Sequence, residues 1–590
     1  MDSNRPALIA YNQQRIFTDT FGGINKRLRI GDGEFSDETN MSGDDYPVLS
    51  TRKARGIVRT MTSPQGIAAK DKLVHVDANA VYYDGAVVAG LTLSAGEKSF
   101  VSMGAYLLIF PDKKYLNTAS LTDFGSIDNS VTVSGASYSM TRPDGTDISS
   151  VTVAATPPES PTGGDYWIDT SEDPNMLMVY SAIMGTWAQV ATVLIKISAT
   201  GIGAGFRAGD GVTVSGAAYT GANIVLKGQI EGLNADHVLY AADDDYIVVT
   251  GQINAVYTQS TALTVSRNVP DMDFVVESEN RLWGCKYGLV GGVNVNEIYA
   301  SKLGDFRNWR AYSGISTDSY AAGVGTDGPF TGAAKHMGTP LFFKENCIHE
   351  VQGYKPANFE IGTLTCRGVQ KGSHKSLVSI NETLYYKGIN GIYAYSGGFP
   401  VCISDNLPGL YTSAAAGAFG DKYYISMYDS AWHLFSYDVR TRIWHREDAV
   451  QVMMFAANNS DLFFINAADK KLYAVNGSAG SAEAAFTWMA TTGTFGYDIS
   501  DQKYVSRFNL RLKMAQSATI TVSIQYDSNG EWIGQGSYTA PSALTDTVMI
   551  PVIPRRCDHF QVKLAGTGQV KLLSFDRKLE GGADGKWHNS

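Results

Sequence analysis

The chain has 590 residues, a net charge of −10, and only 18% charged residues against 44% hydrophobic ones. This length exceeds the ~250–300 residues at which a single core divides, so several domains are expected. The acidic balance excludes a general polyanion binder, though not local basic patches. Low charge together with Gly 61, Tyr 32 and Phe 24 points to aromatic strands joined by tight turns, with large packed or intersubunit surfaces.

Residues 1–60 read as an N-terminal arm. IAYNQQRIFTDTFGGINKRL alternates weakly, and the acidic pair Asp44-Asp45 then gives way to Arg52, Lys53 and Arg55. Such a segment buries little surface alone, so it is expected to lie against the body or a neighbour. The three cations are the candidate subunit interface, weighed against an ordinary solvated surface. Residues 61–129 hold two hairpin units, one around Tyr83-Asp84-Gly85 and one around Pro111-Asp112-Lys113, and read as the first part of a β-propeller.

Residues 130–265 break that pattern. A proline-rich entry leads into PTGGDYWIDTSEDPNMLMVYSAIMGTW and further short strands, read as one or two inserted β modules. Residues 266–480 return to the hairpin theme in ENRLWGCKYG, TPLFFKENCIHEVQG, ETLYYKGINGIYAYSGG, DKYYISMYDSAWHLFSYD and SDLFFINAADKKLYAVNG. Each unit spans the ~40–50 residues of a propeller blade, and a ring of blades buries the apolar face that one hairpin cannot. About seven blades are expected, with six to eight compatible with the pattern; an N-terminal strand is expected to complete the last. Residues 481–590 follow a GSAGSAEAA linker and read as a C-terminal β-sandwich, with Val505, Phe508, Leu510 and Leu512 alternating against Arg507, Arg511 and Lys513. Arg555 and Arg556 add to a basic face there, and the tail from Gly581 reads as frayed. The fold class is therefore all-β.

Five scattered cysteines, Cys285, Cys347, Cys366, Cys402 and Cys557, without a CxxC pair, read as reduced thiols. The first residues lack a signal-peptide core, and no run approaches the ~18 apolar residues of a membrane helix. His349-Glu350 begins like a helical zinc-protease motif, but Gly353 stands where the second histidine belongs. The glycine run at Gly201 has no phosphate-loop lysine after it. Asp243-Asp244-Asp245 and Asp169, Glu172 and Asp173 lack calcium-loop spacing and read as turns. No cofactor, metal or catalytic site is expected from these motifs.

Three passages resemble the tail nozzle of short-tailed bacteriophages, also called tail tubular protein B or packaged-DNA stabilisation protein. They are FGGINKRLRIGDGEFSDETNMSGDDYPVLSTRKARG, KSFVSMGAYLLIFPDKKYLNT and ENRLWGCKYG…NEIYASKLGDFRNW. The PTGGDYWIDTS stretch is similar to a small module recurring in phage tail and fibre proteins, and the C-terminal KYVSRFNLRL…LSFDRKLEGG is similar to other phage virion proteins. The resemblance implies a non-enzymatic structural protein of the virion tail, assembled in the bacterial cytoplasm. It implies a hexameric ring around the DNA channel that retains packaged DNA and conducts it at ejection. The implied partners are further copies of the chain, portal and adaptor proteins, tail fibres or spikes, double-stranded DNA passing without sequence readout, and the host envelope. The alternatives are a receptor- or glycan-binding tail protein, or a propeller glycosidase using carboxylates such as Asp305, Asp429 and Asp438.

Overall fold

The computed structural model describes residues 13–497 and 502–581. The first twelve residues and the tail after Gly581, with the expectations placed on them, lie outside the described residues. Among the described residues strand accounts for 52% and helix for 2%, so the class is all-β. Two compact units are present. The first takes the chain up to Lys98, Phe343–Ile348 and the residues from Leu364 onward; the second takes Ser99–Phe342 and His349–Thr363.

Six four-stranded antiparallel meanders, at 64–92, 99–126, 274–323, 332–365, 378–402 and 412–448, and a five-stranded sheet with three of its strands at 452–474 are the blades of the β-propeller class. In the first unit the opening strand of one blade, Thr412–Phe419, packs on Val452–Ala457, which packs on Pro64–Lys70. In the second unit Ser99–Met103 packs on Phe274–Ser278, which packs on Gly332–His336. The turns follow from local chemistry. Asp84 and Gly85 between the paired Tyr83 and Ala86 both have positive φ, 50° and 82°, as a two-residue hairpin with right-handed strand twist requires. The last blade is completed by the N-terminal strand Gly56–Thr60, which pairs antiparallel with Lys471–Ala474.

The blade at 64–92 carries a buried titratable group. His75 is 2% exposed, neither ring nitrogen has a hydrogen-bond partner, and the ring stacks on Tyr82 at 4.8 Å. The Arg59 guanidinium sits 4.0 Å over the other ring of that stack. Burial first, and Arg59 second, push the imidazole down to about 4, against the pull of Asp77. An unfolded chain takes up this proton near pH 6.5, so between pH 6.5 and 4 the unfolded state binds more protons, and stability falls as pH drops through that window. His75→Phe, which keeps the stack, is expected to remove about 2 kcal/mol of the stability difference between pH 7 and pH 4.5. Urea midpoints of both proteins at the two pH values measure it; equal differences would show that His75 titrates normally.

Between the second and third blades, the paired strands Asn129–Val133 and Leu263–Arg267 carry the chain out to the inserted module and back. The module holds three sheets and one helix, Ile224–Glu231, capped by Asn223, whose Oδ1 accepts from the Leu226 N–H at 3.1 Å. Its core includes Tyr138, Ile195, Ile197, Val212, Ile247 and Val265. The module is fixed to the following blade: Asn308 accepts from the Gly211 N–H and donates to the Gly209 carbonyl, at 2.9 and 2.8 Å.

The N-terminal segment differs most from the sequence reading. From Gln13 onward it is built into the body as paired strands. Gln13–Thr18 and Leu49–Thr51 pair with Val570–Gly581, and Glu34–Thr39 pairs with Thr487–Thr492. The C-terminal sandwich is thus two six-stranded sheets, each containing strands from both ends of the chain. Phe21, Phe35, Met41 and Leu49 pack in one core with Phe508, Leu510, Ile520 and Leu564. The expected alternation in Lys503–Met514 is present, with Val505, Phe508, Leu510 and Leu512 buried and Arg507, Arg511 and Lys513 exposed. The physical reason for the difference is that this segment draws its apolar partners from strands more than 400 residues away, as Phe35 opposite Thr492 illustrates.

Candidate functional site

The candidate interface cluster divides. Lys53 is exposed, whereas Arg52 and Arg55 are 5% and 3% exposed and turn inward. Arg55 donates from Nη1 to Asp448 and from Nη2 to Glu447, both at 2.6 Å. Burial opposes its charge, but Asp448 and Glu447 outweigh burial and hold the guanidinium more firmly protonated than usual. Arg52 donates to Asn40 Oδ1 at 2.6 Å, is ion-paired with Glu483, and lies 4.1 Å over the Phe486 ring. Beside them Glu38, fully buried, accepts from the Arg446 N–H, with His445 Nδ1 at 3.1 Å. These groups join the N-terminal segment to the blade at 412–448 and to the linker before the sandwich. The two arginines therefore bind this chain's own carboxylates, and Lys53 is the exposed member of the cluster.

The motifs set aside in the sequence take structural places. His349 lies in the strand Cys347–Gln352, with Thr326 and Thr363 hydroxyls 2.8 and 3.0 Å from its ring nitrogens. Asp243 accepts from the Asp244 N–H and Asp245 from the Gly201 N–H, both at 2.8 Å. Asp169 caps Ser171. Among the described residues no cluster of His, Cys, Asp or Glu could hold a metal ion. The three carboxylates weighed for glycoside hydrolysis all cap turns: Asp305 accepts from the Arg307 N–H, and Asp438 from the Arg440 and Thr441 N–H groups. Asp429 accepts from the Ser430 and Ala431 N–H groups and from His433. Burial alone would raise the Asp429 carboxyl, but these bonds outweigh it and hold it well below the usual range, so it is ill-suited to donate a proton.

Two features of the blade at 274–323 were not singled out in the sequence. The first is a ribbon. Its second strand, Arg281–Val290, and third, Val293–Ala300, outrun their neighbours: pairing with the first strand ends at Phe274–Cys285 and with the fourth at Glu297–Gly323. Beyond Lys286, which is ion-paired with Asp273 at 2.8 Å, a two-stranded ribbon remains. Its tip exposes Leu289 at 69% and Val293 at 64%, flanked by Tyr287 and Val290. The available signal was Leu289-Val290 before Gly291-Gly292 and Val293 after it, where a solvated hairpin tip would carry polar residues.

The second feature is a cleft of about 410 Å³ at the opposite end of the same strand. The turn Glu279-Asn280, the turn Met337-Gly338 and the segment after Val351 enclose it. All four turn residues have positive φ, 52°, 57°, 48° and 81°. Trp283 and Phe359, edge to face at 5.0 Å, form part of its floor, and Tyr354, 75% exposed, stands on its rim. No spacing rule links these three chain segments, so only the fold assembles them.

The fold defines an all-β protein of the β-propeller class with an inserted β module and a terminal sandwich. No family model matches the chain, and no curated protein sequence matches it. Among solved structures, a glycoside hydrolase family 43 arabinoxylan arabinofuranohydrolase from Bacillus subtilis aligns at 9% identity over 51% of this chain and 94% of its own, with a TM-score of 0.19. Saccharomyces cerevisiae Sqt1 aligns at 10% identity over 74% and 98%, with a TM-score of 0.27. Trypanosoma rangeli sialidase aligns at 8% identity over 95% of each chain, with a TM-score of 0.20. The strand order, not these low scores, assigns the fold, and no activity follows from them.

Proposed function

We propose that this chain is a non-enzymatic structural component of a bacteriophage tail. In this reading several copies, six by resemblance to the tail nozzle, form a ring around the DNA channel, docked to portal and adaptor proteins. The ring retains packaged DNA and conducts it at ejection. The observation that carries the reading is the apolar ribbon tip. Val290 and Val293, paired on one face of the ribbon, and Leu289 on the other are exposed apolar residues of the kind an assembly covers rather than leaves in water. Closed rings need one such patch and its complement on every subunit. Two further points support it: the resemblance in the N-terminal and central passages, and the engagement of Asp305, Asp429 and Asp438 as turn caps.

The paired substitution Leu289→Lys, Val293→Lys is expected to abolish incorporation into rings. Exposed changes of this kind typically move stability by only about 0.5 kcal/mol, so the protomer's melting temperature should hardly shift. Negative-stain imaging of tails, and sedimentation of the chain with its adaptor, provide the readout. Wild-type particles lacking a ring of this chain, or variant particles with normal rings, would count against the reading.

A further inference from the structure

We propose that the cleft between the Glu279-Asn280 and Met337-Gly338 turns binds a neutral saccharide, one or two pyranose units in length. Its volume, about 410 Å³, falls in the ~300–1,000 Å³ range of ligand clefts. Its chemistry narrows the class. Glu279, Asn280, Gln352 and Tyr354 line the cleft as exposed residues, and no hydrogen bond from their polar side-chain groups to the described residues is present. Trp283 is 3% exposed and lines the cleft, and its indole N–H likewise has no protein acceptor. That N–H is not shielded from solvent, so a ligand oxygen in the cleft can take the place of water on it.

Hydroxyl groups around a pyranose ring meet these needs together. They donate to a carboxylate, exchange both kinds of hydrogen bond with amides, and accept from an indole N–H, while the ring's C–H face lies on an aromatic. An anionic ligand fits poorly. Glu279 adds negative charge at the mouth, and the buried Arg281 directs Nη1 to the Ser301 and Asp318 carbonyls and Nη2 to the Ser316 carbonyl. An apolar ligand would strand the polar rim. Gly338 is also required here: a side chain on it would begin 3.0 Å from Glu279 Oε1 and crowd the opening.

The site is independent of ring formation. Arg281 and Val290 are the two ends of one strand, about 30 Å apart at the usual rise, so the cleft and the apolar tip lie at opposite ends of the blade. A protomer covered at the ribbon keeps the cleft open, and an isolated protomer has it too.

The test uses the full chain and a panel of glucose, galactose, mannose, rhamnose, N-acetylglucosamine, N-acetylgalactosamine and their common disaccharides. Saturation-transfer NMR and tryptophan fluorescence read binding. At least one sugar is expected to bind saturably, and Tyr354→Ala and Glu279→Gln are each expected to weaken it about tenfold or more with unchanged unfolding curves. In Trp283→Phe the fluorescence change should disappear. Binding by no member of the panel would overturn the proposal. So would binding that both rim variants leave intact, or a fluorescence change that persists without Trp283.

Discussion

Removal of residues 1–55 is expected to leave a chain that does not fold. The sandwich would lose Gln13–Thr18, Glu34–Thr39 and Leu49–Thr51 from its two sheets, and with them Phe21, Phe35, Met41 and Leu49, each about 2% exposed. At about 1.5–3 kcal/mol for each fully buried large apolar side chain, the four alone contribute roughly 6–12 kcal/mol. That is comparable to the ~5–15 kcal/mol total stability of a typical domain. The opened sheet edges at Val570–Gly581 and Thr487–Thr492 would also offer unpaired backbone for aggregation. Soluble yield and the urea transition of the truncated chain measure this. A soluble product with a single cooperative transition would show that these strands are accessory.

The second large effect is expected at Arg55. Arg55→Met removes one buried cation and leaves Glu447 and Asp448, 5% and 17% exposed at their side chains, facing each other without it. Breaking a buried pair in this way typically costs ~3–5 kcal/mol, because the remaining charges keep their desolvation penalty. The triple variant Arg55→Met, Glu447→Gln, Asp448→Asn should recover a large part of that loss. Lys53→Glu, at an exposed position, should be nearly silent. Chemical denaturation of the four proteins separates these outcomes. If the single and triple variants were equally unstable, packing rather than charge would be the function of Arg55.

The blades were legible because each repeats the same local statement. Asp84-Gly85 can turn without neighbours, and Tyr423 to Tyr437 can be read as facing strands from their spacing alone. The N-terminal strands were not legible for the opposite reason. EFSDET buries only Phe35 and Glu38, and Glu38 is accommodated because the Arg446 main-chain N–H donates to it and His445 Nδ1 lies 3.1 Å away, both on a distant blade strand. A polar strand whose partners are that remote has no local periodicity to reveal it. Arg52 and Arg55 misled for the same reason: in sequence they form a basic run, and only the fold brings Glu447, Asp448 and Glu483 to them. The cleft at Glu279 combines both cases, since its turns are readable singly but their convergence is not.

The shared strands of the two chain ends also impose an order in time. Arg15 and Asp576, joined in the finished sandwich, are 561 positions apart. At bacterial or eukaryotic elongation rates of ~5–20 residues per second, roughly 30–110 s separate the synthesis of the two. Throughout that interval Phe21, Phe35 and the cations of the first segment emerge without their partners, while the blades of the second unit, whose strands pair with near neighbours, have all they need to form. The last blade can close only after Lys471–Ala474 is made, and the sandwich only after Val570–Gly581 is made. A nascent chain that has not yet reached these strands is therefore marked by open sheet edges and arginines without their carboxylates.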